Sequence, residues 1–302
     1  MSSAWALASK GFVTPASLPA NQFRNGIDGM AHPDAMKQTQ NRALAPPDKR
    51  FFQRLKAAPE RLLMLDYDGT LAPFRERRDE AIPYPGVREA IAGLLRAPGT
   101  RVVVVSGRAL NELIVLLGVE PLPELWASHG WEHRSAFGED THYPLPEGAK
   151  LGLTEAQRRA SQESLRGRLE VKPAGVALHW RGLPVAEALA VEKEAWGLWS
   201  GLVNDQGLEL RPFDGGLELR IPGRDKGTAV MRIMADSPPG TVAAFLGDDL
   251  TDEDAFKALP PEGLGVLVRP TLRETAAAAW LKPPEDLLAF FDAWLSVSGG
   301  TR

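Results

Sequence analysis

Three apolar runs without alternation constrain this chain most: Leu62-Leu63-Met64-Leu65, Val102-Val103-Val104-Val105 and Val242-Ala243-Ala244-Phe245-Leu246. A strand with one wet face alternates apolar and polar residues, whereas runs like these suit strands covered on both faces. Between the first two runs, Val87, Ile91, Leu94 and Leu95 fall at helical spacing. Strand, helix, strand in that order implies a right-handed parallel unit. Each run also ends in a polar cluster: Asp66-Tyr67-Asp68-Gly69-Thr70, Ser106-Gly107-Arg108 and Gly247-Asp248-Asp249. Ligands of open parallel sheets bind just beyond the carboxyl ends of the strands, so adjacent strands would bring the three clusters to one rim.

The reading that follows is an α/β fold: a doubly wound, Rossmann-like parallel core interrupted by an inserted α/β cap. Residues 1–50 show no sustained period and read as a loose N-terminal arm; 51–133 and 222–302 form the core and 134–221 the cap. Within the cap the pattern predicts helix over 155–168, extended chain over 171–181, helix over 185–202, and a hairpin around Asp214-Gly215-Gly216. After Pro222-Gly223 the parallel grammar returns, with helices from Lys226 and near Asp252, a strand over 265–268, and closing helices over 271–279 and 285–295.

Composition narrows the partners. With 35 basic against 39 acidic side chains, a net charge of -4 and no long basic cluster, the chain carries no electrostatic footprint for nucleic acid. No apolar stretch reaches the roughly 20 residues that cross a bilayer, so no membrane contact is expected. The sequence has no cysteine, which excludes thiol chemistry and fits a cytoplasmic protein.

Phosphoryl transfer is the chemistry that needs these clusters together, because negative charge must be neutralised while an oxygen nucleophile attacks in line. Asp66 is placed to attack phosphorus and Asp68 to act as general acid and then base. Mg²⁺ takes hard oxygen ligands, for which Asp66, the Asp68 carbonyl and Asp248 suffice. Ser106, Gly107 and Lys226 would hold phosphate oxygens, and Thr70, Asp249 and Asp252 would support the ligands from behind. Plainer readings stand beside these. Asp-x-Asp-Gly alone is often a turn or a Ca²⁺-like loop, Ser106 has the place of a helix cap, Arg108 reads as structural, and His129 and His133 read as loop residues.

Taken in order, Asp66-Tyr67-Asp68-Gly69-Thr70-Leu71, Ser106-Gly107-Arg108, Lys226-Gly227 and Gly247-Asp248-Asp249 resemble the motifs of the haloacid-dehalogenase-like (HAD) phosphatases. Ser128-His129-Gly130-Trp131-Glu132-His133-Arg134, Val176-Ala177-Leu178-His179-Trp180-Arg181 and the acidic run to Asp254 narrow the resemblance to trehalose-6-phosphate phosphatases. That resemblance implies a Mg²⁺-dependent hydrolase acting on trehalose 6-phosphate, with a cap closing over the disaccharide. It also implies Glu132, Lys172, His179, Arg181 and Glu218 as sugar contacts. A pathway synthase is expected on a separate chain, since no segment of this one reads as room for it. Two extended segments precede Lys226, and proximity selects the one containing Glu218. His179 and Arg181 alternate with Leu178 and Trp180, which leaves open whether their face meets solvent or the cleft. Another sugar-phosphate phosphatase or a phosphomannomutase-like phosphotransferase of the same superfamily, and a non-catalytic sugar-phosphate sensor, are the competing readings.

Overall fold

The computed structural model describes residues 47–301 except 76, 162–164, 166 and 206. Of the arm expected over 1–50, residues 1–46 lie outside the described residues, and Lys49 and Arg50 already belong to the helix Lys49–Ala57.

Among the described residues, twelve strands form two sheets. The larger takes β1 (Arg61–Leu65), β2 (Thr100–Val105), β3 (Glu124–Ala127), β4 (Glu132–Arg134) and β5 (Asp140–His142) from the first part of the chain. The smaller takes β6 (Leu169–Lys172), β7 (Gly175–His179), β8 (Glu209–Phe213) and β9 (Gly216–Arg220). The chain then returns to the larger sheet with β10 (Val242–Gly247), β11 (Leu264–Val268) and β12 (Ala279–Leu281). The order in the larger sheet is β12-β11-β10-β1-β2-β3-β4-β5, parallel from β12 to β3 and antiparallel beyond. From β1 the order runs one way through β2 and β3 and the other way through β10, β11 and β12, so the sheet switches direction at the β1/β10 pair.

The apolar runs are unbroken because both faces of the sheet are covered. Leu63 and Leu65 enter a core with Phe51, Ile91, Leu113, Phe291 and Trp294, contributed by helices on one face. Leu62 and Met64 point the other way, to Val230, Ile233, Phe245 and Phe256. Each such side chain contributes about 1.5–3 kcal/mol on burial. A third cluster, around Leu178, Trp199, Leu217 and Leu219, belongs to the smaller sheet and its helices. Among the described residues no helix is long and apolar enough to cross a membrane.

Three elements differ from expectation. The first cap helix spans Glu147–Ala160, starting after Pro146 rather than at 155; its buried face is Ala149, Gly152, Leu153, Ala156 and Ala160, small residues that give a faint apolar period. The extended run over 171–181 is two strands, because Pro173-Ala174 turns the chain between β6 and β7. The alanine-rich segment 271–279 forms no helix: its end joins the sheet as β12, with Ala279 opposite Val266, so tertiary pairing overrides the helical preference of alanine. In addition β5, which lies past Arg134, pairs through β4 onto the larger sheet.

Candidate active site

Leu65 pairs with Val104 on one side and Leu246 on the other, so Asp66, Ser106 and Asp248 all emerge just past one edge of the sheet, with Asp66 and Asp248 flanking the switch point. Lys226 arrives there as the first residue of the helix Lys226–Ala235, whose start is held by Asp225 and Thr228 in a reciprocal capping box.

The centre is buried and crowded with carboxylates. Asp66 is 3% exposed; Lys226 Nζ donates to its Oδ1 at 2.6 Å, and Thr70 Oγ1 donates to its Oδ2 at 3.3 Å. The same Nζ donates to Asp252 Oδ1 at 2.7 Å, while Asp252 Oδ2 accepts from the backbone N–H groups of Asp248 and Asp249 at 3.0 and 2.9 Å. Carboxylate oxygens of Asp66, Asp248 and Asp252 lie within 4.8 Å of one another. Burial first, and then the negative charge of Asp252, raises the Asp66 carboxyl to about 7 against the pull of Lys226. Burial and the neighbouring acids push Asp248 well above the usual carboxylate range.

Asp248 tests whether this centre fits a metal. It is 1% exposed and neither of its carboxylate oxygens has a hydrogen-bond partner. Buried polar groups are almost always satisfied, so two bare oxygens beside Asp66 are what a hard cation would occupy. Three carboxyl groups facing one ammonium leave negative charge in excess, and the site fits a divalent cation held by Asp66 and Asp248. The Asp252 oxygens are already committed. Gly69, at φ +81, leaves room for this arrangement: a Cβ there would lie 2.2 Å from Asp248 Oδ2.

Asp68 is held apart from the three acids. Arg108, 2% exposed, donates from Nε and Nη2 to its two oxygens at 2.7 and 2.6 Å. Arg108 reads as structural in the sequence, yet its partner is the expected general acid. Ser106 Oγ accepts from the Arg108 backbone N–H at 3.2 Å, the local turn of a loop-and-helix start. Its own hydroxyl proton has no partner within the loop.

Above this rim opens a cleft of about 1080 Å³, lined from the larger sheet by Asp66, Asp68, Ser106, Gly107, Lys226, Asp248 and Asp249 and from the smaller one by Lys172, His179, Arg181 and Glu218. Strand alternation explains the second set: Leu217 and Leu219 enter the apolar cluster, so Glu218 faces the cleft. On β7, Gly175 and Ala177 share that face and are small, which lets Lys172 Nζ reach across to Glu218 Oε1 at 2.6 Å. His179 Nε2 lies 2.7 Å from Glu170 Oε2, and the Arg181 guanidinium stacks on the Phe74 ring at 3.7 Å. The face of His179 and Arg181 therefore meets the cleft.

Glu132 is the exception among the expected sugar contacts. It lies under the rim, 7% exposed, where its Oε2 accepts from Ser128 Oγ at 2.6 Å and from the Leu110 N–H at 3.0 Å. It caps the helix Leu110–Leu117 from outside and does not line the cleft. Alternation within β4 turns it inward, beneath the loop that precedes it.

Other cleft groups escaped the sequence reading. Glu170 pairs with Arg78, Lys172 and His179, and burial, which alone would raise its carboxyl, is outweighed so that it sits at about 2. The two-residue spacing of Glu170 and Lys172 places both on one strand face, a signal that an extended run expected only from 171 leaves out. At the tip of the β8–β9 hairpin the Asp214 N–H donates to Asp249 Oδ1 at 3.1 Å, and Arg269 Nη2 donates to Asp214 Oδ2 at 2.7 Å. These contacts join residues distant in sequence and leave no local pattern.

The chain is similar to known proteins in sequence and in fold. A family model described as trehalose-phosphatase matches residues 64–281. A trehalose-phosphate phosphatase of Mycobacterium marinum is 34% identical over 298 residues, covering 91% of this chain and 69% of its own. A bifunctional trehalose-6-phosphate synthase/phosphatase of Thermoproteus tenax is 33% identical over 217 residues, which is 70% of this chain and 29% of the relative. The fold is shared with the C-terminal domain of a Candida albicans trehalose-6-phosphate phosphatase, at a TM-score of 0.72 and 22% identity, over 85% of this chain and 99% of that one. With the family match spanning both parts of the carboxylate-lined rim and the whole segment between them, the chain belongs to the trehalose-phosphatase family.

Proposed function

We propose that this protein hydrolyses trehalose 6-phosphate to trehalose and inorganic phosphate through an aspartyl-phosphate on Asp66, with Mg²⁺ as cofactor. The observation that carries the reading is the buried Asp66 carboxylate at the β1/β10 switch point, beside Lys226 and the unpartnered Asp248, in a chain of this family.

The reaction divides into two displacements. In the first, an Asp66 carboxylate oxygen bonds to phosphorus, the bond from phosphorus to the sugar oxygen breaks, and Asp68 gives that oxygen its proton. In the second, water attacks phosphorus, Asp68 takes the water's proton, and the Asp66–phosphorus bond breaks to release phosphate. Lys226 holds Asp66 in place and adds positive charge beside the incoming phosphate, while the Ser106 hydroxyl donates to a phosphate oxygen. Asp68 performs its part only after leaving Arg108, so the salt bridge holds the resting position of the acid. A divalent cation held by Asp66 and Asp248, with the Asp68 carbonyl, supplies further charge neutralisation when bound.

We assign specificity for the sugar to the smaller sheet, as a cap over the leaving group: Lys172, Glu218, His179 and Arg181 offer donors and acceptors, and a cleft of about 1080 Å³ has room for a disaccharide phosphate. We also place the enzyme in the cytoplasm and the synthase that supplies its substrate on another chain, although the Thermoproteus relative is named as carrying both activities.

Phosphate release from trehalose 6-phosphate, glucose 6-phosphate, sucrose 6-phosphate and mannose phosphates, measured with and without Mg²⁺, tests the reading. A clear preference for trehalose 6-phosphate that depends on the cation is expected. Equal rates across the panel, or isomerised sugar phosphate without free phosphate, would reject it.

A further inference from the structure

Ser128, His129 and Gly130 are three consecutive residues in the left-handed region, at φ 48, 54 and 90. Glycine tolerates such a conformation; serine and histidine adopt it only where the surroundings hold them, and residues of this kind gather at functional sites. His129 is 7% exposed and reaches the cleft between its two walls. Its backbone N–H donates to the Ser106 carbonyl at 3.1 Å, and Ser128 N–H donates to the Arg108 carbonyl at 2.7 Å, so this turn is fastened to the loop 106–108. The ring lies against Gly107, where a Cβ would come 2.6 Å from Nε2, and no larger residue fits without displacing the imidazole. The same Nε2 stands 3.3 Å from Glu218 Oε2 of β9, whose other oxygen accepts from Lys172. Nδ1 has no partner. Burial lowers the ring's affinity for a proton, which favours the neutral imidazole.

His129 thus belongs to the larger sheet by its backbone and touches the smaller sheet by its ring. We propose that His129 is a positioning residue that sets the Glu218–Lys172 pair in register with the loop at Ser106 and Gly107, so that a sugar held by that pair presents its phosphate to Asp66. The inference rests on the reading of the protein as a sugar-phosphate phosphatase and assigns the residue that joins sugar selection to phosphate placement. His129 touches no reacting atom in this account; it acts through Glu218 and through the loop. The strained backbone then has a purpose, since only a turned-back chain at 128–130 brings a side chain between Gly107 and Glu218.

The test uses His129→Gly, His129→Asn and His129→Gln in the full chain, with trehalose 6-phosphate and p-nitrophenyl phosphate as substrates. Glycine suits φ 54 better than histidine, so a role limited to the backbone predicts a variant as stable and as active as the parent. The expected result is an unchanged or raised melting temperature for His129→Gly. Its kcat/KM should fall at least tenfold more on the sugar phosphate than on p-nitrophenyl phosphate, which carries no sugar to be read. His129→Asn, tolerant of this backbone but too short to reach Glu218, should behave likewise, and His129→Gln, whose amide nitrogen reaches about as far as Nε2, should recover part of the loss. Equal losses on both substrates, no loss on the sugar phosphate, or no recovery with glutamine would overturn the proposal. A parent enzyme that hydrolyses p-nitrophenyl phosphate but shows no preference for trehalose 6-phosphate rejects the substrate reading itself, before any variant is compared, and this inference falls with it.

Discussion

Arg108 holds both carboxylate oxygens of Asp68 from a position only 2% exposed, a bidentate pair between the loop after β2 and the loop after β1. The guanidinium matches the carboxylate with two parallel donors, which an ammonium cannot do. Arg108→Lys is expected to keep the fold, cost about 1–3 kcal/mol of stability, and lower turnover because the acid loses its defined resting position. Urea unfolding and steady-state rates check it; an unchanged rate would show that the resting position is irrelevant to catalysis.

Asp66→Asn removes the proposed nucleophile while keeping the volume of the side chain. Turnover should fall by about 10⁴-fold or more, and no phosphorylated protein should form on rapid acid quench. A variant that still turns over would place the nucleophile elsewhere.

Asp248 bears the cost of a buried carboxylate without a partner, and its removal should separate stability from function. Asp248→Asn is expected to raise the stability of the metal-free protein by about 1 kcal/mol and to abolish the calorimetric signal of Mg²⁺ or Mn²⁺ titrated into it. Stripping the parent with a chelator should lower its melting temperature, whereas the variant should not respond. Undiminished cation binding by Asp248→Asn would move the metal away from this residue.

Glu170 gives the protein an acid limit. Its carboxyl drops from the ordinary 4.5 to about 2, because Lys172, His179 and Arg78 outweigh its burial. A group depressed in the folded state binds its proton more readily once unfolded, so its contribution is complete above about pH 4.5 and disappears as pH falls towards 2. Glu124, held at about 2 among His133, Trp126 and Arg101 despite its burial, works in the same window. Glu170→Gln should therefore flatten, without abolishing, the loss of stability between pH 4.5 and 2 in denaturant titrations.

Glu132→Ala distinguishes a support from a sugar contact. Loss of its bonds to Ser128 and Leu110 should cost about 1–3 kcal/mol of stability. KM for the sugar phosphate should stay within about threefold of the parent, less than 1 kcal/mol of binding. A tenfold rise in KM with the fold intact would return Glu132 to the binding site.

The parallel sheet and its rim were legible because both come from local sequence. An unbroken apolar run has to be covered on both faces, and the polar residues ending it have to surface at one edge; Asp66, Ser106 and Asp248 follow from this without any long-range information. What escaped belongs to the opposite case. The pairing of Glu170 with Arg78, the contact of Asp214 with Asp249 and Arg269, and the inward turn of Glu132 depend on how segments far apart meet. A buried face made of Ala149, Gly152 and Ala156 is nearly silent in a hydrophobic pattern, so the first cap helix was displaced in the reading. At 276–279 alanine's preference for helix pointed the wrong way, because β11 offers an unpaired edge and the sheet wins.

The neighbours at the switch point are β1 and β10, and everything from β2 to β9 is made between them. A chain emerging from the ribosome therefore presents β1 with one flank bare until β10 is made, an apolar strand edge of the kind that recruits other chains. Closing so long a loop is slow, since the entropy is lost before the contacts form. Asp66 meets Asp248 only once the chain has been made through β10. The buried centre is thus completed late, and a nascent or truncated chain lacking β10 holds Asp66 without Asp248 beside it.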